Sequence, residues 1–192
     1  MLSIPCVIFA GGKSSRMGED KALLPFGEYK TLTEFQYSRL SKIFSHVYIS
    51  CKNKNKFDFD ANFIEDVNHT EVYAPTLGFA SSFKKLEQES FFVISVDSPF
   101  IDLKTIKKIV SNDNSTFDAT IARTPNGIEP LCGIYHSSLE SSFNDMLKTS
   151  NHKLGFLLGE SNTQYIDFTN DAPFANLNHP HEYKKALSLI NS

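Results

Sequence analysis

The stretch Ile4-Pro5-Cys6-Val7-Ile8-Phe9-Ala10-Gly11-Gly12-Lys13-Ser14-Ser15-Arg16-Met17-Gly18-Glu19-Asp20-Lys21 decides the fold. It opens on an apolar run in which Pro5 is tolerable only near a strand start, so residues 4–9 read as a buried strand. Glycines, serines and cations follow. Open α/β sheets bind ligands beyond the carboxyl ends of their strands, where this loop falls. Gly11 and Gly12 let backbone N–H groups approach an anion with no Cβ in the way. Lys13, Arg16 and Lys21 bring three positive charges to the same loop. A charge-assisted hydrogen bond to phosphate contributes about 1.5–3 kcal/mol, against about 0.5–1.5 for a neutral one. The string therefore predicts a polyphosphate site. Its bland alternative is a strand-to-helix turn with a solvated basic edge. Two familiar loops are excluded: Val7 stands where a Walker A motif needs glycine, and G-x-G-x-x-G is absent.

Outward from this loop, short apolar runs alternate with amphipathic stretches. Residues 91–96 (FFVISV) form the clearest strand, nearly all apolar or β-branched, as expected where both faces are covered. Further strands are expected at 47–50, 62–65, 119–122, 130–135 and 164–168. Helices are expected at 33–43, 78–86, 103–110, 138–148, 153–158 and 180–188. Asp102 is placed to cap one helix and Pro180 to open the last. Alternating strands and helices predict an α/β three-layer α/β/α sandwich. Its sheet should be mixed but mostly parallel and Rossmann-like, within a single domain over 1–192.

Composition narrows the function. With 192 residues, 41% hydrophobic and 21% charged, the chain is long and apolar enough for an ordinary globular core. A net charge of -3 argues against a nucleic-acid binder with a broad basic face, yet leaves room for a small cationic pocket. No apolar run approaches the length of a membrane span, and residues 1–10 lack a signal peptide's basic start. Cys6, Cys51 and Cys132 are widely spaced and form no C-x-x-C. They suit a reducing compartment, so a cytoplasmic location is expected.

Asp97 follows the buried strand and precedes Ser98-Pro99. A carboxylate there is presented where a sheet builds its site, and Mg²⁺ favours one or two carboxylates plus phosphate oxygens. The same Asp-Ser-Pro is also good turn sequence. Asp66 ends the strand-like segment Phe63-Ile64-Glu65, and by residue type alone it reads as a solvated loop acid. Asn176 and Asn178 alternate on an extended segment, which points their side chains the same way. Helix capping by Asn178 or His179 accounts for the segment equally well, with Glu182 in the first turn. Lys153, by residue type alone, reads as an exposed lysine.

The string G-G-K-S-S-R-M-G-x-D-K-A-L-L resembles the signature of molybdenum cofactor guanylyltransferases and their nucleotidyltransferase relatives. Strand-Asp-x-Pro at Asp97, I-E-D at Asp66 and F-A-N-L-N-H-P at residues 174–180 extend the resemblance through most of the chain. It implies GMP transfer from GTP to the terminal phosphate of molybdopterin cofactor, with release of pyrophosphate. On that likeness Phe9, Ala10, Gly11, Gly12, Lys21, Ser50, Asp66 and Asp97 contact the nucleotide. Lys21, Arg16 and Asp97 are catalytic, with Asp97 the Mg²⁺ ligand. Asn176, Asn178 and Lys153 fall on the acceptor side, near Glu129-Pro130-Leu131. A monomer is expected, with transient contacts to proteins that deliver or accept the cofactor.

Two departures stand out. His179 replaces the usual threonine. Tyr73-Ala74-Pro75-Thr76-Leu77-Gly78-Phe79 replaces a P-G-P-L-A-G-like loop near the base, which leaves base choice open. A cytidylyltransferase, a sugar-1-phosphate nucleotidyltransferase and a non-catalytic nucleotide-binding domain are the rival readings.

Overall fold

The computed structural model describes residues 1–12, 18–66 and 74–190. Seven strands form one sheet: β1 (Cys6–Phe9), β2 (Val47–Cys51), β3 (Asn62–Glu65), β4 (Ser90–Ser95), β5 (Ala119–Thr124), β6 (Gly127–His136) and β7 (Thr163–Asp167). Their order across the sheet is β3-β2-β1-β4-β6-β5-β7. Neighbours from β3 to β4 are parallel, as are β5 and β7, while β6 runs antiparallel to both β4 and β5. The mixed, mostly parallel sheet is the one expected.

Side-chain alternation along the central strands explains the three layers, because successive residues face opposite sides of a sheet. Cys6, Ile8, Phe92 and Ile94 join a core that also takes Leu32 and Leu40, Ile106 and Ile109, and Ala186. These come from α1 (Leu32–Leu40), α3 (Leu103–Ser111) and α6 (Pro180–Ile190). Val7, Phe9, Phe91 and Val93 face the other way. There they meet Phe79 and Phe83, Phe143 and Met146, and Leu157 and Leu158. Those side chains belong to α2 (Pro75–Leu86), α4 (Glu140–Thr149) and α5 (Leu154–Glu160). Both faces of β1 and β4 are thus covered, which is why these strands are continuous apolar runs.

Helix starts follow their caps. Thr31 accepts from Glu34 N at α1, and Asp102 accepts from Thr105 N at α3. At α2, Pro75 takes the first turn, where its missing N–H costs nothing, so the helix begins three residues before the expected 78. Residues 75–79 are therefore helical and do not form the open loop anticipated near a base.

The two strands expected at 119–122 and 130–135 are longer and form one hairpin, β5–β6, joined through Pro125 and Asn126. The register shifts between Ile121 and Ala122. There Gly133 lies so close to β5 that a Cβ would sit 2.4 Å from Thr120 O, a contact only glycine permits. Because β6 descends from the rim, Glu129–Leu131 stand at the end of the sheet where Asp97 follows β4. No helix among the described residues is long and apolar enough to cross a membrane.

Candidate functional site

The chain leaves β1 under tight backbone control. Ala10 N donates to Ser50 O at 2.9 Å, and Val96 N donates to Phe9 O at 3.1 Å. Ala10 is thereby pinned beside the end of β2, and Gly11 and Gly12 emerge at the rim. Ser50 is buried, and α2 crosses close above it. A Cβ on Gly78 would lie 2.9 Å from Ser50 Oγ and 3.0 Å from the Phe9 ring. Phe9, Ser50 and the first turns of α2 thus make one wall. Phe79 points away from the rim into the core. Its ring stacks on Phe143 at 4.3 Å and meets Phe9 edge-on at 4.8 Å.

Lys13 and Arg16 lie outside the described residues, and so does Tyr73. After them, Asp20 Oδ1 accepts from Ala22 N at 3.0 Å and caps the short 3-10 turn Lys21–Leu23. Lys56 Nζ donates to Asp20 Oδ2 at 2.8 Å and to Ala10 O at 3.2 Å, joining both ends of the glycine loop. Thr33 Oγ1 of α1 donates to Ala22 O at 2.7 Å. So fixed, the turn sends Lys21 Nζ to Asp97 Oδ2 at 2.5 Å and to Asn178 Oδ1 at 3.0 Å.

Asp97 is held on every polar side. Ser95 Oγ donates to its Oδ1 at 2.5 Å, and Leu177 N donates to its carbonyl at 2.9 Å. Ser98 Oγ donates to Asn176 Oδ1 at 2.5 Å. Asn176 and Asn178 both face the site, as their spacing predicts. The capping reading holds in part as well: Glu182, in the first turn of α6, accepts through Oε2 from Asn178 N at 2.7 Å and His179 N at 2.8 Å. That carboxylate closes the start of α6 and leaves the Asn178 amide for Lys21. Burial acts to raise the Glu182 pKa, but these two backbone hydrogen bonds outweigh it and hold it below the usual range.

The rim opens into two adjoining lobes. Phe9, Gly11, Gly12, Lys21 and Pro75 line one of about 200 Å³. Ser98, Ile101, Glu129, Pro130 and Asn176 line the other, of about 210 Å³. Ser95, Asp97 and Leu131 belong to both. Burial raises the Glu129 pKa, against a hydrogen bond from Thr124. Asp66 follows β3 with its N–H donated to Cys51 O at 3.1 Å. Burial raises its pKa too, with Lys52 acting against it. Lys153 is exposed at the start of α5 and lines neither lobe. Lys56, Ser95 and Ser98 were not singled out by the sequence, since a lysine in a polar loop and serines at a strand end carry no distinctive spacing.

Gly11, Gly12 and Asp97 thus face one cleft at the rim of the sheet. Residues 6–163 match the MobA-like NTP transferase domain, and the chain belongs to that family. It is 42% identical to a molybdenum cofactor guanylyltransferase of Campylobacter jejuni subsp. doylei, with 96% of each chain covered. It is 32% identical to one of Helicobacter pylori, over 98% of this chain and 94% of the relative. Among solved structures, molybdopterin-guanine dinucleotide biosynthesis protein A of Archaeoglobus fulgidus shares the fold. The TM-score is 0.82 at 19% identity, with 98% and 99% of the chains covered.

Proposed function

We propose that the chain transfers GMP from GTP to the terminal phosphate of molybdopterin cofactor and releases pyrophosphate. The observation that carries this reading is the 2.5 Å contact of Lys21 with Asp97 where the two lobes meet. Family membership and the two guanylyltransferase relatives support the choice of substrates. GTP takes the lobe of Gly11 and Gly12, whose N–H groups meet its phosphates, with Arg16 and Lys21 as cations. Phe9 and Ala10 form the wall beside it with Ser50. Asp66, near the end of β3, accepts from guanine or ribose. The acceptor takes the lobe of Ser98, Glu129 and Asn176, with Asn178 and Lys153 at its approaches.

The residues fit a Mg²⁺ ion shared with substrate. Among the described residues no group of three or more His, Cys, Asp or Glu gathers, so no all-protein cage is formed there. Asp97 projects at the lobe junction, and Mg²⁺ is commonly held by one or two carboxylates and phosphate oxygens. When bound, the ion neutralises charge on the triphosphate. Asp97 would hold it there. Lys21, whose ammonium Asn178 keeps aimed at the lobe junction, binds the triphosphate and stabilises the departing pyrophosphate. The acceptor phosphate is already anionic at neutral pH, so its oxygen attacks the α-phosphorus in line without a strong base. Rate comes from positioning and charge compensation. The buried cysteines suit a cytoplasmic setting.

Thermal shift with the magnesium complexes of GTP, CTP, UTP and dTTP, followed by pyrophosphate release in the presence of cofactor, tests the assignment. Stabilisation by GTP above the others and acceptor-dependent release are expected. Greater stabilisation by CTP, or no release, overturns it.

A further inference from the structure

β4 runs out of ladder partners before it reaches Asp97. Its last pairing with β6 is Ile94 with Cys132, and its last with β1 is Ser95 with Phe9. The buried carbonyls beyond need donors from elsewhere. Ser98 N donates to Ser95 O at 3.2 Å, and Gln36, fully buried on α1, reaches both carbonyls: Nε2 donates to Ser95 O at 3.2 Å and to Val96 O at 3.1 Å. One turn along α1, Arg39 Nε donates to Gln36 Oε1 at 2.6 Å, and its Nη1 donates to Ile101 O at 2.7 Å. The turn that carries Asp97 and Ser98 is therefore gripped before and after by one linked pair of side chains.

The grip uses a costly residue. A guanidinium taken out of water loses solvation that only a close partner repays. Burial draws the Arg39 pKa down to about 10, so it remains cationic at neutral pH. Among the described residues no carboxylate forms an ion pair with it. Its Nη2 is a buried donor without a hydrogen-bond partner. Arg39 sits behind Ile101, which lines the acceptor lobe. That lobe's lining includes Asp97 and Glu129 and no cation among the described residues. An anionic acceptor entering there meets Glu129 and the Lys21-paired Asp97, with a half-buried guanidinium behind them.

We propose, building on the transfer reaction above, that Arg39 is a positioning residue with two linked effects. With Gln36 it fixes the turn that presents Asp97, and its charge, held in no ion pair, offsets the acids of the acceptor lobe so that a phosphorylated acceptor binds. It acts through the backbone and the lobe floor without touching either substrate.

The test uses the full chain with Arg39→Met, Arg39→Lys and Gln36→Met. Readouts are kcat, KM for GTP and for the cofactor, and Mn²⁺ affinity in the presence of GTP by electron paramagnetic resonance. Displacing a reacting group by about 1 Å costs about a hundredfold in rate, so Arg39→Met is expected to lower kcat at least tenfold. It should raise the cofactor KM, weaken Mn²⁺ binding and leave the GTP KM within about twofold, since the glycine loop is untouched. Arg39→Lys restores the cofactor KM because the charge is kept. Gln36→Met lowers kcat and Mn²⁺ affinity without raising the cofactor KM. Equal loss in the Lys and Met variants, or unchanged values in a folded Arg39→Met, overturns the proposal. Should Arg39→Met fail to fold, the Lys variant decides: a wild-type cofactor KM supports the proposal and a raised one overturns it. If the wild type transfers no GMP, the function reading fails by itself. Mn²⁺ binding then still judges the grip, weaker in Arg39→Met in its favour and equal against it.

Discussion

Two acid–base pairs lie at opposite ends of this sheet and do different work. At the rim, Lys21 meets Asp97 beside an open cleft, and both also bond neighbours on other segments. At the far end, His136 Nε2 lies 3.0 Å from Asp113 Oδ1, which also accepts from Thr120 Oγ1 at 2.6 Å. Both pairs are largely shielded, with side chains 10–16% exposed. Burial alone does not separate them. Asp97 of the rim pair borders both lobes and Lys21 one of them, so this pair opens onto the cleft. The far pair touches neither lobe. It ties β6 to the segment after α3, since Asp113 lies just beyond that helix. A pair of this kind is suited to chemistry when it opens onto a cleft, and to architecture when its partners are already spent.

Substitutions sharpen the contrast, beginning at the rim. Asp97→Asn should cut acceptor-dependent pyrophosphate release by about 10³-fold, and Lys21→Ala by about 10²–10³-fold. Circular dichroism melts of both should stay near wild type. Turnover close to wild type in either would remove the rim pair from the reaction. Asp113→Asn should do the reverse, costing about 1–3 kcal/mol of stability by denaturant titration while kcat is kept.

The far pair also has a pH signature. Burial acts to raise the Asp113 pKa, but hydrogen bonds from His136 and Thr120 outweigh it and hold it below the usual value. Its stabilisation is complete above the unfolded value of about 3.9 and is lost as pH falls through the lower folded value. The acid-unfolding curve of Asp113→Asn should therefore lose its steepest part below about pH 4. If turnover falls with it, the division between the ends is wrong.

A smaller effect is expected at Lys56, which ties Asp20 to Ala10. Lys56→Met should raise the GTP KM by about three- to tenfold with little change in kcat, as loss of a partly exposed ion pair allows. The smallest is at the exposed Arg123–Asp167 pair on β5 and β7. Asp167→Asn should move neither melting midpoint nor turnover.

Legibility in the sequence followed the same physics. Strands β1 and β4 were readable because both faces are buried and their side chains are uniformly apolar. The Lys21–Asp97 meeting was readable because loop and acid each follow a strand, and parallel neighbours bring those ends together. The β5–β6 hairpin was read as two strands because Gly127–Leu131 are exposed or half-buried and mostly lack strand alternation. Its turn signal, Asn126-Gly127, lay between them unread. Phe79 drew notice as a departure beside the base, yet its ring fills a core cluster, because the helix starts earlier at Pro75. Gln36 and Arg39 read as ordinary polar positions on a helix. Only the end of β4 packing against them shows what they hold, and local sequence does not carry that.

The shared wall of the lobes has a consequence for the end of the cycle. Among the described residues, Ser95, Asp97 and Leu131 are shared by the two compartments, so two substrates joined across them become one molecule lodged in both. Such a product excludes each starting compound from its own compartment. It is expected to act as a competitive inhibitor toward GTP and toward the cofactor alike, so turnover is expected to depend on how quickly it leaves.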